Sequence, residues 1–148
     1  KAIEHRLEDF FVKPNTLFIN ESKGTNGEST INAIEAFKNR IVLIAGGENK
    51  KICNEELIKK INERVGFVYL IGETGTILAE EMNKVGYKKY KNLGTLEKVL
   101  LDIKQNIDFE DSQTILFSPA TASFDQFKNF EERGRIFKEL TNKILGEK

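Results

Sequence analysis

The stretch IVLIAGGENKKICNEELIKKINERVGFVYLI, residues 41–71, carries two different hydrophobic repeats. Ile41 to Ala45 is an unbroken apolar run of strand length, rich in β-branched residues. Cys53, Leu57, Ile58, Ile61 and Val65 then recur at steps of three and four, the spacing of one helix face. Gly66 to Ile71 returns to strand character. A strand, a helix and a second strand, with both strands apolar on each side of the chain, is the pattern of a parallel sheet covered by helices on both faces.

The same alternation continues in both directions. Ahead lie Arg6 to Val12 and Thr16 to Asn20, separated by Lys13-Pro14-Asn15; Pro14 and Asn15 favour a tight turn, so these two strands are expected to pair as an antiparallel hairpin at one edge. Behind lie Tyr87 to Lys91 and Gln113 to Phe117. Helix spacing recurs at Ile31, Ile34 and Phe37, at Ile77, Leu78, Met82 and Val85, and most clearly at Leu96, Val99, Leu100, Ile103 and Ile107. A last helix is expected from about Phe124 to Leu145, with Phe127, Phe130, Phe137, Leu140 and Ile144 turned inward and Gly134 as its weak point. The expected fold is α/β: a three-layer, Rossmann-like, mostly parallel sheet of about six strands, forming one domain over residues 1–148.

Composition narrows the partners. Lys plus Arg and Asp plus Glu each number 23 in 148 residues, so no net field draws in nucleic acid or an anionic membrane. The longest apolar runs fall far short of the roughly 20 residues that cross a bilayer, and no segment reads as a signal peptide. The lone Cys53 builds neither a disulfide nor a zinc site, which fits a reducing, cytoplasmic setting. Lys1 in place of an initiator methionine is read as the sign of an upstream part that has been removed.

In an open α/β sheet, ligands bind outside the carboxyl ends of the strands, where loops feed helix N-termini. Three such loops stand out: Glu21-Ser22-Lys23-Gly24-Thr25-Asn26, Gly46-Gly47-Glu48-Asn49-Lys50 and Ser118-Pro119-Ala120-Thr121-Ala122-Ser123. Their small residues let a ligand approach the backbone, two of them carry a lysine, and parallel strands point all three the same way, as an anion-binding rim. Each part also has a plainer reading. Glycine pairs mark ordinary turns, most lysines are solvated charges, and Ser123 with Gln126 fits a capping box. His5, the only histidine, has no Ser or Cys nucleophile at a strand-to-helix elbow beside it. No G-x-x-x-x-G-K-[ST] or G-x-G-x-x-G occurs, so the chain carries neither an ATP phosphate loop nor a dinucleotide fingerprint of its own.

NESKGTN at residues 20–26 and SPATASFDQFKNFEERG at residues 118–134, with His5-Arg6 and Gly46-Gly47-Glu48-Asn49-Lys50, make the chain resemble the carboxy-terminal domain of the Mur ligase family. Glu21-Ser22-Lys23-Gly24, where other branches carry an Asp-Tyr-Ala-His type motif, points to the branch that adds D-glutamate. The resemblance implies ATP-dependent peptidoglycan synthesis in the cytoplasm. ATP activates the carboxylate of UDP-N-acetylmuramoyl-L-alanine as an acyl phosphate, which the amine of D-glutamate attacks. It further implies an amino-terminal domain for the UDP end and a central domain holding ATP and Mg2+, both absent from this chain, so that the domain alone is inactive, binds no metal and is monomeric.

Carried over by the same resemblance, Lys50, Thr25, Ser123 and the backbone of Phe130 hold the carboxylates of D-glutamate. Lys23 reaches the phosphates of ATP or the acyl phosphate, as the catalytic residue. Arg6 and Glu21, with Lys23, serve nucleotide binding. Charge-assisted hydrogen bonds from a lysine, hydroxyls and free N–H groups are what a dianionic amino acid requires. Three positions depart from the family pattern: Glu21 for aspartate, Gly27 for a helix-opening proline and Thr121 for cysteine. The rival expectation is a non-catalytic α/β module that binds an acidic metabolite or nucleotide.

Overall fold

The structure, a computed structural model, describes residues 8–22, 26–47, 55–120 and 129–146. Their order is β1 (Glu8–Lys13), β2 (Thr16–Asn20), α1 (Gly27–Glu35), β3 (Arg40–Gly47), α2 (Glu55–Arg64), β4 (Phe67–Ile71), α3 (Gly72–Lys84), β5 (Tyr90–Gly94), α4 (Leu96–Asn106), β6 (Gln113–Phe117) and α5 (Phe130–Leu145). The strands form one sheet in the order β1-β2-β6-β3-β4-β5. Only β1 is antiparallel, paired with β2 as the expected edge hairpin; the other pairings are parallel.

Because strand side chains alternate, the central strands supply two cores. Ile19, Ile41, Leu43, Ala45, Val68, Leu70 and Leu116 pack under α1, α2 and α3 through Ile34, Leu57, Ile61, Leu78 and Met82. Phe18, Val42, Ile44, Tyr69, Ile71, Ile115 and Phe117 pack under α4 and α5 through Val99, Leu100, Ile103 and Phe137. The connections from β2 to β3, β3 to β4 and β4 to β5 all step one way across the sheet, and their helices share a face. The return from β5 to β6 places α4 on the opposite face, as a constant crossover hand requires.

Four expectations shift. The fifth strand is Tyr90–Gly94, not Tyr87 to Lys91. Gly86, at φ +83°, turns the chain out of α3, and Tyr87 is then used as a core plug whose hydroxyl donates to the Val65 carbonyl at 2.9 Å. The ladder begins where Tyr90 meets Val68. β3 runs on through Gly46 and Gly47 instead of ending at Ala45. The last helix starts at Phe130, where the Asn129 side chain accepts the Glu132 N–H at 2.8 Å; the capping box expected at Ser123 and Gln126 lies outside the described residues. Val85, expected inward, is 50% exposed, because the buried face of α3 runs through Thr74, Gly75, Leu78, Ala79 and Met82. No described helix is long and apolar enough to cross a membrane.

Candidate ligand-binding crevice

β6 lies between β2 and β3, so the three loops singled out in the sequence leave adjacent strand ends. The three strands run parallel and so end at one edge of the sheet, as expected, but the helices that follow them lie on different faces. The loops after β2 and β3 lead to α1 and α2 on one face, whereas the chain after β6 leads to α5 on the other. Neighbouring strands whose connections part to opposite faces open a crevice at their carboxyl ends. Here β6 is flanked by such a neighbour on each side.

The floor of the crevice is stitched beyond the strands themselves. The Glu21 N–H donates to the Phe117 carbonyl at 2.8 Å, the Ser118 N–H to Ile44 at 3.1 Å and the Gly46 N–H to Pro119 at 2.9 Å. Below it, the hydroxyls of Thr30 on α1 and Ser118 share a hydrogen bond of 2.9 Å, and both residues are 0% exposed. Ala120 adopts φ +71°, an uncommon left-handed conformation for a residue with a Cβ, at the point where the chain turns out of β6.

Gly46 owes its identity to packing. Its φ is +123°, and a Cβ there would meet the Ile71 carbonyl oxygen at 2.0 Å. The glycine pair therefore has a sufficient structural cause in the approach of β3 to β4, where Gly47 also bridges Gly72.

Of the residues expected in the site, two lie among those described. Glu21 is 7% exposed, directly after β2. Phe130 is the first residue of α5. Arg6, Lys23, Thr25, Lys50 and Ser123 lie outside the described residues, as do His5, Cys53 and Gln126. The described chain comes within three residues of all four loop positions: Ser22 precedes Lys23, Asn26 follows Thr25, Gly47 stands three residues before Lys50 and Ala120 three before Ser123. Asn26 caps α1 through the Ser29 N–H at 2.8 Å, with Gly27 as the first helical residue.

Sequence reasoning missed Arg133, the bulkiest fully buried side chain among the described residues, at 0% exposure. Its Nη2 donates to the Ser22 carbonyl at 2.7 Å. The available signal was an arginine four residues before Phe137 on the inward face of the last helix, where an apolar residue would be ordinary. A second polar cluster lies away from the crevice, under α4. There the Tyr69 hydroxyl donates to Asp102 at 2.5 Å and Lys91 Nζ donates to the same carboxylate at 2.9 Å. Burial, with the Asp102 hydrogen bond, pushes the Tyr69 phenol up. Burial also works to raise Asp102, but the hydrogen bonds from Tyr69, Lys91 and Asn106 outweigh it and hold the carboxyl below its ordinary value.

No family model matches the chain. Curated relatives match nearly all of it. The UDP-N-acetylmuramoylalanine–D-glutamate ligase of Fusobacterium nucleatum is 44% identical over 146 residues, covering 97% of this chain and 34% of that protein. The proteins of the same name from Caldicellulosiruptor bescii and Thermoanaerobacter sp. are 39% and 43% identical, with 98% and 97% of this chain covered. The chain spans about a third of the length of these relatives. Among solved structures, the MurF ligase of Thermotoga maritima in complex with ADP matches 97% of the chain and 32% of its own length, with a TM-score of 0.57 at 17% identity. A murein peptide ligase of Psychrobacter arcticus matches 98% of the chain and 30% of its own length, with a TM-score of 0.65 at 10% identity; at these identities the likeness is one of fold. With the sequence matches and the fold in agreement, the chain belongs to the Mur ligase family, as a carboxy-terminal domain that accounts for about a third of its relatives.

Proposed function

We propose that this domain forms the D-glutamate-holding wall of an ATP-dependent ligase that extends UDP-N-acetylmuramoyl-L-alanine in peptidoglycan synthesis. The observation that carries the reading is the crevice itself: β2, β6 and β3 end side by side, and the helices that follow them lie on opposite faces of the sheet, while Lys23, Thr25, Lys50 and Ser123 follow those strand ends in the sequence. The names of the relatives support the choice of amino acid.

In this reading Lys50, Thr25, Ser123 and the Phe130 N–H take the two carboxylates of D-glutamate and aim its amine at the activated acyl carbon. The start of α5 suits an anion, since helix N-termini present donors and the positive end of the dipole. ATP, when bound, supplies the phosphoryl group that activates the acceptor carboxylate. Lys23 neutralises charge that builds as the amine attacks, which is where a cation contributes most. Glu21 is an acceptor at the end of β2 and suits a ribose hydroxyl, with Arg6 beside the same nucleotide end. Mg2+ and most ATP contacts fall to a central domain, and the UDP end to an amino-terminal one. The isolated chain is accordingly inactive, and the whole protein works in the cytoplasm as a monomer, without nucleic acid or membrane partners.

The test is Lys50→Ala in a full-length ligase containing this domain. Losing one charge-assisted hydrogen bond, worth roughly 1.5–3 kcal/mol, should raise the KM for D-glutamate by about 10- to 100-fold. An unchanged KM would refute the assignment.

A further inference from the structure

We propose that Arg133 is a positioning residue of the crevice, locking the loop that leads to Lys23 and Thr25 to the helix start that presents Phe130. The inference rests on the proposed reading of the crevice and adds to it a residue that touches no ligand.

The geometry gives the reason. α5 lies on one face of the sheet, and the loop after β2 departs for α1 on the other. The Arg133 side chain crosses between them, with Nη2 2.7 Å from the Ser22 carbonyl, a bond spanning 111 residues of sequence. Ser22 is itself 0% exposed, and its N–H donates to Asn20 Oδ1 at 3.2 Å. Asn20 Nδ2 donates to Glu8 Oε1 at 3.1 Å, and Glu8 also pairs with Lys138 of α5 at 3.1 Å. The contacts form a closed circuit from α5 through the loop and β1 back to α5.

A guanidinium is charged at every physiological pH and is costly to strip of water. A leucine or methionine beside Phe137 would fill the core at no such cost. What an apolar side chain cannot do is grip a carbonyl of a loop bound for the other face. Lys23 to Thr25 follow Ser22 directly, and Phe130 precedes Arg133 by three residues, less than one helical turn. One buried guanidinium, bonded to the Ser22 carbonyl through Nη2, thus sets the separation between two parts of the rim, and sub-ångström placement of ligand groups matters for both binding and rate.

The experiment is steady-state kinetics on the full-length ligase with Arg133→Met and Arg133→Lys, alongside thermal melts that give the folded fraction. Arg133→Met should raise the KM for D-glutamate by about tenfold or more while the KM for the UDP-linked substrate stays within about twofold. Arg133→Lys keeps the charge and a donor but has a shorter reach than the guanidinium, and should fall between Arg133→Met and wild type. If Arg133→Met does not fold, the KM split of Arg133→Lys decides alone. The inference is overturned if the folded variants lose only kcat, in proportion to lost folded enzyme, with every KM unchanged. Wild-type enzyme indifferent to D-glutamate would instead sink the functional reading on which the inference stands.

Discussion

Replacing Gly46 by alanine tests whether the close approach of β3 to β4 shapes the crevice floor. The new Cβ would lie 2.0 Å from the Ile71 carbonyl oxygen, against roughly 3.3 Å for an unstrained carbon–oxygen contact. Relief therefore takes a shift of more than about 1 Å. Gly46 is held against such a shift by its N–H bond to Pro119 at 2.9 Å and its ladder pairing with Ile71. Two weakened hydrogen bonds cost about 1 kcal/mol each, and φ +123° adds roughly 1–3 kcal/mol of strain once a side chain is present. The sum is about 3–5 kcal/mol, a large share of the roughly 5–15 kcal/mol that holds a domain folded. With a urea slope of about 2 kcal/mol/M, the unfolding midpoint should fall by about 1.5–2.5 M. Gly86→Ala is the control: it also has positive φ, at +83°, but a Cβ there meets nothing within 4 Å. It should cost only about 1 kcal/mol, near 0.5 M. Equal midpoint shifts for the two variants would show that backbone conformation alone, and not the contact with β4, governs position 46.

Two further outcomes follow from the buried polar groups. Asp102→Asn removes the ion pair with Lys91 and weakens the bond from Tyr69, and should lower stability near neutral pH by about 1 kcal/mol. Because the Asp102 pKa is depressed in the folded state, its contribution is present above the ordinary carboxylate value and is lost as pH falls through the lower folded one. The variant should show a smaller loss across that acid window in urea titrations at stepped pH. Tyr87→Phe leaves the buried Val65 carbonyl without its donor and should cost about 1–2 kcal/mol at pH 7. Burial pushes the Tyr87 phenol up to about 12, whereas an unfolded tyrosine ionises near 10. Stability is thus fully present below about pH 10 and is lost as pH rises toward 12. The variant should lose less over that interval, with the alkaline loss that remains assigned to Tyr69.

The parallel centre of the sheet was legible because its strands are covered on both faces, so Ile41 to Ala45, Phe67 to Ile71 and Ile115 to Phe117 read as apolar runs without alternation. β5 was misplaced for the converse reason. It is an edge strand with exposed Lys91 and Asn92, and Tyr87 offered a stronger apolar signal while serving the core below the strand. Val85 has helical spacing but falls on the solvent side, since a stripe of small residues, Thr74, Gly75 and Ala79, forms the true contact face. In the crevice, local pattern located the three loops and family motifs supplied the residue roles. Helical period places Arg133 on the inward face beside Phe137, but it does not reveal the partner, a backbone carbonyl 111 residues away.

The sheet order carries a consequence for how the domain is made. β6 is the last strand to be synthesised, yet it fills the gap between β2 and β3. Until residue 117 has emerged, the growing polypeptide holds an N-terminal hairpin and a separate β3-β4-β5 ribbon, each with an apolar inner edge waiting for a partner. Such long-range completion is slow and leaves sticky intermediates. A message truncated just before Gln113 would therefore yield two halves able to recruit strands from other molecules. Quality control of this domain accordingly hinges on the arrival of five residues, Gln113 to Phe117.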